Sequence, residues 1–156
     1  MSRYPLTLLA PARDLEVGKA AIDAGADAVY IGAPRFGARH AAGNTMEDIQ
    51  SLVQYARPFG VEILVTLNTL LSEKERQEAV EMAWQLYHIG VNALIIQDLR
   101  LLTYDLPPLR LHASTQCDNR TIEHIAELEK LGFSRVVLAR ELSLDEIRTI
   151  RQQTTI

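Results

Sequence analysis

The chain has 156 residues, a length typical of one domain, and 47% hydrophobic with 23% charged residues is the composition of a folded globular protein. The net charge of −4 argues against a surface that binds nucleic acid nonspecifically, although arginine predominates among the 16 basic residues and suits phosphate and planar recognition. The single cysteine, Cys117, excludes an internal disulfide and any cysteine-built metal site from this chain alone.

No apolar run approaches the roughly 20 residues that a membrane-spanning helix needs. The start, Met-Ser-Arg-Tyr-Pro, lacks the apolar core of a signal peptide. We therefore expect a cytoplasmic protein with no membrane partner.

A joint between a helix and a strand recurs along the chain. Glycine just past a helix supplies the left-handed residue that closes it, and short buried runs after it are typical of parallel strands. This pattern occurs at Gly25–Ile31, Gly60–Val65, Gly90–Ile96 and Gly132–Leu138. Leu6–Ala10 predicts a first strand, and Leu109–Ser114 predicts a further one after the Pro107-Pro108 break. The sequence thus predicts six strands.

Helix starts agree with these joints. A serine followed three residues later by glutamate forms a capping box. Two such pairs occur, Ser72 with Glu75 and Ser143 with Glu146, and Thr45 with Asp48 is a looser version. The helices that follow are amphipathic, so their apolar stripes are expected to cover the outer face of the sheet.

The strand that begins at Leu109 has two different faces. Its apolar residues, Leu109, Leu111 and Ala113, alternate with the polar residues Arg110, His112, Ser114 and Gln116. If helices cover the apolar face, the polar face looks into an enclosed space, where polar groups need hydrogen-bond partners or a ligand. We take this polar face as the centre of the candidate site.

Six βα units give an α/β architecture, and two closures compete. An open doubly wound sheet would normally carry a glycine-rich phosphate loop after the first strand, where this chain has Ala10-Pro-Ala-Arg. The polar inward face favours the alternative, a TIM-type (β/α) barrel of parallel strands, which normally needs eight units and about 250 residues.

We therefore expect residues 1–156 to be a single domain, the N-terminal part of an incomplete barrel, because the sequence stops where a seventh strand would begin. The open barrel edges would favour a homodimer or another edge-to-edge association.

Several motifs together resemble peptidase family U32, the collagenase-like family. They are Leu9-Ala-Pro-Ala, Gly25-Ala-Asp-Ala-Val-Tyr-Ile-Gly, Phe36-Gly-Ala-Arg with Asn44, Thr66-Leu-Asn-Thr, His112-Ala-Ser-Thr-Gln and Ala139-Arg-Glu-Leu-Ser. The resemblance runs in order through nearly the whole chain. It implies either a peptidase or, as for better understood relatives, oxygen-independent hydroxylation of transfer RNA, ribosomal RNA or a ubiquinone precursor.

The resemblance also implies an iron–sulfur cluster in the full-length protein, held by four cysteines that in the family lie beyond the point where this sequence stops. This chain itself is expected to carry no cofactor.

Polar residues that end the strands should converge on one mouth of a barrel. The residues predicted at this mouth are Tyr30, Thr66, Asn68, Gln97, Asp98, Ser114, Gln116, Arg140 and Glu141. From this region we predict substrate contacts by Tyr30, Arg39, Asn68, Asp98, Ser114, Gln116 and Arg140, and no metal ligand.

Each candidate also has a structural explanation. His112 and Glu141 are the candidates for catalysis, but a lone histidine on a strand is more often a satisfied core residue than a base. Asp98 suits a helix cap, and Asn68 and Gln116 suit loop caps. Arg140 and Glu141 form either a salt-bridged pair or an anion site balanced by a carboxylate.

Two features beside the strands complete the set. Arg35 and Arg39 lie in the long loop Ala33–Gly43, where an arginine either grips a carboxylate or phosphate or is simply solvated. Cys117 is a candidate nucleophile, but no histidine spacing specifies a base for it, so a buried or loop thiol is favoured.

Three functions remain open from the sequence. The first is the barrel portion of an enzyme that hydroxylates an RNA base or a quinone precursor, acting on RNA or a small molecule. The second is a peptidase, although no His-Glu-x-x-His or Gly-x-Ser-x-Gly motif occurs. The third is a fold fragment, and we expect the 156-residue chain to be inactive alone.

Overall fold

The computed structural model describes residues 6–37 and 43–156. Its six strands form one parallel sheet in the order β1-β2-β3-β4-β5-β6. They are β1 (Leu9–Ala12), β2 (Ala28–Gly32), β3 (Glu62–Leu67), β4 (Ala93–Ile96), β5 (Arg110–Ala113) and β6 (Arg135–Val136). Sequential order confirms the incomplete barrel and excludes the doubly wound sheet, in which the strand order reverses.

Five α-helices accompany the strands within the described ranges. They are α1 (Leu15–Asp23), α2 (Met46–Ala56), α3 (Glu73–Ile89), α4 (Ile122–Lys130) and α5 (Leu144–Gln153). The three predicted capping boxes are all present, at the starts of α2, α3 and α5. None of the helices that the structure describes is long and apolar enough to cross a membrane.

The expectation of a helix after every strand is wrong at β4. The segment between β4 and β5 forms only a 3-10 helix, Leu99–Thr103. Pro107 and Pro108 follow within a few residues, and proline disfavours helical backbone before it, so the connection has no room for a full α-helix. The described chain therefore has six strands but five α-helices.

The first strand begins later than predicted, at Leu9 rather than Leu6. Leu6 and Leu8 precede it and are 97% and 60% exposed. The strand includes Pro11, which has no backbone donor; among the described strands β1 pairs only with β2, and an edge strand tolerates proline.

The predicted glycine joints close the helices as expected. Gly25, Gly60, Gly90 and Gly132 all have positive φ, between 67° and 97°. At the end of α3, the Gly90 amide donates to the carbonyls of Leu86 and Tyr87, and its left-handed backbone turns the chain into β4.

The two faces of the sheet differ in what they pack against. The outer face joins the helices in the main core, to which β2 to β5 contribute Val29, Ile31, Ile63, Val65, Leu67, Leu94, Ile96 and Ala113. The inner face carries a smaller apolar cluster of Ala28, Leu64, Ala93 and Ile95, against which Leu9 and Tyr30 pack. This inner face is the one toward which a barrel directs its site.

Candidate functional site

Polar side chains enter the inner face in one row near the carboxyl ends of the strands. The parallel register places Thr66 beside Ile95, Ile95 beside His112, and His112 beside Arg135. Directly paired residues of neighbouring strands point to the same face. The predicted split of β5 is confirmed, since Leu109, Leu111 and Ala113 pack into the helix-covered core while His112 belongs to the opposite row.

His112 is buried and uncharged at neutral pH. Its relative exposure is 3%, and burial together with the nearby positive charges of Arg135 and Arg110 lowers its pKa to about 4. A neutral imidazole offers one donor and one acceptor to a ligand on the inner face. Its role in catalysis stays a prediction, and the low pKa makes it a weak base.

Tyr30 lies deeper than the strand ends. It is the central residue of β2 and pairs with Pro11 and Leu64, one inward row below the row of Thr66 and His112. Its ring packs against the inner apolar cluster. Tyr30 therefore lines the interior of the half-barrel rather than its mouth, where we had expected it beside Asn68, Ser114 and Gln116.

Asp98 follows β4 and is 3% exposed. Its carboxylate accepts hydrogen bonds from the Leu71 amide at 3.1 Å, from the Arg100 amide, and from the Arg100 guanidinium at 2.7 Å. The bond from Arg100 holds the pKa of Asp98 below its usual value against the opposing effect of burial. Both carboxylate oxygens are thus used to join the β3–α3 loop to the end of β4, as the capping explanation requires.

Ser114 and Gln116 lie directly beyond β5. Ser114 is 2% exposed, and its hydroxyl accepts from the Gln116 amide at the start of the short 3-10 helix Thr115–Cys117. The Gln116 side chain is exposed at the mouth, and the Gln116 backbone carbonyl accepts from Gln97 Nε2 at 3.5 Å. This bond joins the Gln97 side chain, at the end of β4, to the backbone directly beyond β5.

Asn119 is a buried residue that sequence reasoning did not single out. Its Nδ2 donates to the Ser114 and Val137 carbonyls, both at 2.8 Å, and its own carbonyl accepts from the Ala139 amide at 3.2 Å. It thereby locks the loop after β5 to the loop after β6. Its Oδ1 is buried and has no hydrogen-bond partner among the described residues. The only sequence signal was an asparagine five residues beyond Ser114, which is too common to interpret.

The predicted arginine sites differ in their surroundings. Arg39 lies outside the described residues, whereas Arg35 pairs with Glu78 at 2.6 Å.

Asn44 is buried, and its Nδ2 donates to the Arg13 and Gly32 carbonyls, so it joins the ends of β1 and β2. Asn68 is half-buried directly beyond the end of β3, and its contact with a substrate stays a prediction.

Glu141 does not pair with its neighbour Arg140. Its carboxylate lies 3.9 Å from the guanidinium of Arg120, which also pairs with Asp118. Arg140 is exposed and forms no ion pair with the residues described here. The Glu141 side chain is 68% exposed, so it lacks the burial that raises the pKa of a carboxyl group used as a general acid.

Cys117 is half-buried, and its Sγ lies 3.6 Å from the Ile96 and Gln97 carbonyls. Burial raises the pKa of this thiol, which is the opposite of what a cysteine nucleophile or metal ligand needs. Within residues 6–37 and 43–156, no group of three or more His, Cys, Asp or Glu side chains is placed to hold a metal ion.

Comparisons with known proteins agree with this architecture. A sequence profile for peptidase family U32 matches residues 13–156. The 23S rRNA 5-hydroxycytidine C2501 synthase of Escherichia coli is 53% identical over 99% of this chain and 24% of that protein. The tRNA hydroxylation protein P1 of Bacillus subtilis is 34% identical over 96% of this chain and 36% of that protein.

A third relative carries a different name. The collagenase of Porphyromonas gingivalis is 32% identical over 93% of this chain and 36% of that protein. The chain thus spans between about a quarter and about a third of the length of these curated relatives.

Among solved structures, the U32 peptidase Mk0906 superposes with a TM-score of 0.75 over 100% of this chain and 69% of that chain, at 12% identity. Thiamine phosphate pyrophosphorylase from Pyrococcus furiosus gives a TM-score of 0.67 over 95% of this chain and 70% of that chain, at 17% identity. At such identities the likeness concerns the fold alone.

Proposed function

We propose that this chain, which belongs to peptidase family U32, is the barrel portion of an enzyme that hydroxylates a base of ribosomal RNA. The observation that carries the proposal is the 53% identity with the E. coli 23S rRNA 5-hydroxycytidine synthase over 99% of the chain. Identity with the tRNA hydroxylation protein of B. subtilis is lower, at 34%, which favours ribosomal RNA as the substrate.

The geometry of the inner face supports binding of a base. The neutral imidazole of His112 and the hydroxyl of Thr66 lie in one inward row, and the amides of Gln97 and Gln116 lie above it at the mouth. A nucleobase presents donors and acceptors on its edges, and these neutral groups can form hydrogen bonds with them, while Arg135 beside His112 adds a positive charge to the same row.

An iron–sulfur cluster, which the family resemblance implies, does not fit the residues of this chain. The chain has one cysteine, and burial raises the pKa of that thiol, whereas a cluster is held by several thiolates. We therefore assign no step to a cluster here, and its ligands would be residues outside these 156.

The second candidate function is a peptidase, which the 32% identity with the P. gingivalis collagenase favours. The described side chains give the peptidase little support. The Cys117 thiol has a raised pKa, and the Glu141 carboxylate is exposed to solvent and lies 3.9 Å from the Arg120 guanidinium. A third reading is that the chain alone is inactive and contributes only part of a site.

A chimera separates these functions. This chain would replace the matching 154-residue region of the E. coli synthase, in a strain that lacks the native enzyme. We expect mass spectrometry of 23S rRNA to show restored hydroxylation at the cytidine that the relative modifies, and expression of the chain alone to restore none. A soluble chimera that leaves this cytidine unmodified would contradict the proposal. If the chimera instead cleaves gelatin, and its Cys117→Ala variant does not, the peptidase becomes the favoured function.

Association and location belong to the same proposal. Within the described ranges β1 and β6 each pair on one side only, so their unpaired backbone groups favour association through these edges, most simply as a homodimer. Sedimentation that shows a monomer at high concentration would contradict this. We place the protein in the cytoplasm, where ribosomal RNA is found.

A further inference from the structure

Arginines gather at the end of the sheet where the candidate site opens. Five described ones follow the strands closely: Arg13, Arg35, Arg100, Arg120 and Arg140. Four of these five pair with carboxylates, namely Asp14, Glu78, Asp98 and Asp118 with Glu141. Arg140 is the exception within the part of the chain that the structure describes.

Glu141, the carboxylate adjacent to Arg140 in the chain, does not pair with it. The adjacent carboxylate lies against Arg120, which belongs to the neighbouring loop. Asn119 holds the two loops side by side, through its bonds to the Val137 carbonyl and the Ala139 amide. Because Asn119 is fully buried, the backbones of the two loops are held at a fixed separation, and Arg140 begins from a defined place at the mouth.

An unpaired guanidinium can bind an anion without first losing an ion pair. A planar guanidinium matches a phosphate with two parallel hydrogen bonds. For the four paired arginines, phosphate binding would have to displace a carboxylate, whereas for Arg140 it displaces only water. Phosphate contacts fix the register of a nucleic acid, while groups deeper in a site read the base.

We propose that Arg140, held on the two loops that Asn119 locks together, contacts a backbone phosphate of the RNA and so positions the target base over the inner face. This inference rests on the proposed function and adds that a phosphate of the RNA binds at the mouth of the half-barrel.

The test is RNA binding as a function of salt, with a matched control. The 156-residue chain and its variants would be titrated with a short, fluorescently labelled single-stranded RNA between about 50 mM and about 200 mM salt. One lost phosphate contact reduces the slope of log affinity against log salt by about 0.7 for single strands. We expect this change for Arg140→Gln and a partial loss of affinity for Arg140→Lys, which keeps the charge but not the planar fork.

Arg57→Gln is the control, because it removes the same charge from an exposed arginine before β3, at the opposite end of the sheet. We expect it to leave the slope unchanged. Equal slope changes in Arg140→Gln and Arg57→Gln would overturn the inference, and so would absence of binding by the unaltered chain at about 50 mM salt.

The two proposals fail in different experiments. If the chimera hydroxylates 23S rRNA while Arg140→Gln leaves the slope of the chain unchanged, the phosphate contact is wrong and the function stands. If the chimera fails to hydroxylate while only Arg140→Gln changes the slope, the phosphate contact stands and the proposed reaction is wrong.

Discussion

Replacing Asn119 with alanine tests whether one side chain joins the last two strand ends. The change removes two hydrogen bonds of 2.8 Å, to the Ser114 and Val137 carbonyls. Each such bond contributes about 0.5–1.5 kcal/mol net, and a carbonyl left buried without a partner costs about 1–3 kcal/mol more. The Val137 carbonyl is the one left without a donor among the described residues, because the Ser114 carbonyl still accepts from the Cys117 amide at 3.0 Å.

An opposing effect reduces the sum. The Asn119 Oδ1 is already buried without a partner among the described residues, so alanine also removes an unfavourable group. We therefore expect a loss of about 2 kcal/mol in the free energy of unfolding. With a urea slope of about 2 kcal/mol per molar, the midpoint should fall by about 1 M.

The assay is urea denaturation followed by circular dichroism, with Gln116→Ala as the control. Gln116 is exposed on the same loop, so its replacement should change the free energy of unfolding by less than about 0.5 kcal/mol. Hydrogen exchange should also speed up at the Ala139 amide, which donates to the Asn119 carbonyl. Equal unfolding midpoints for Asn119→Ala and Gln116→Ala would refute the assigned role.

Three further predictions concern ionisable groups. Asp98→Asn should cost about 2 kcal/mol at neutral pH, because the hydrogen bonds from the Leu71 amide and from Arg100 lose their buried, charged acceptor. Since the folded pKa of Asp98 is depressed, that cost should shrink as pH falls below 3.8; a cost independent of pH in urea titrations would contradict it. Because the folded pKa of His112 is lowered from 6.5 to about 4, the unfolded chain takes up this proton first, and stability should fall by on the order of 3 kcal/mol as pH drops through that window. His112→Asn should lose this component, and an imidazole pKa near 6.5 by NMR would exclude it. Iodoacetamide should label Cys117 far more slowly in the folded chain than in urea, since burial raises the pKa of the thiol; equal rates would contradict its burial.

Features that depend on near neighbours in the chain were readable from the sequence. The capping boxes at Ser72 and Ser143 involve residues three apart, and each joint glycine acts on the helix that it closes. The alternation along β5 is equally local, because successive side chains of a strand point to opposite faces. These patterns, with the motifs of the family, were enough to predict six parallel strands and the polar face of His112.

The length of an element and the row of a side chain were harder to predict. Tyr30 lies near the end of a hydrophobic run, but the inward row that its side chain occupies depends on the register, in which Tyr30 pairs with Leu64 of β3. The segment after Asp98 reads as a helix, yet the space between β4 and Pro107 allows only a 3-10 turn. Both outcomes depend on strand register and connection geometry, which a run of residue types does not specify.

The sequence by itself determined the repeating unit, the faces of the strands and the family, because periodicity, caps and motifs are written in short spans of the chain. The tertiary structure decided which polar groups already have a hydrogen-bond or ion-pair partner. Asp98 accepts from the Leu71 amide, and Glu141 lies near Arg120 rather than Arg140. Asn119 joins the loops after β5 and β6 by hydrogen bonds. Hydrogen bonds and ion pairs act only over a few ångströms, so these partners were fixed when the curled sheet brought separate strand ends to one mouth.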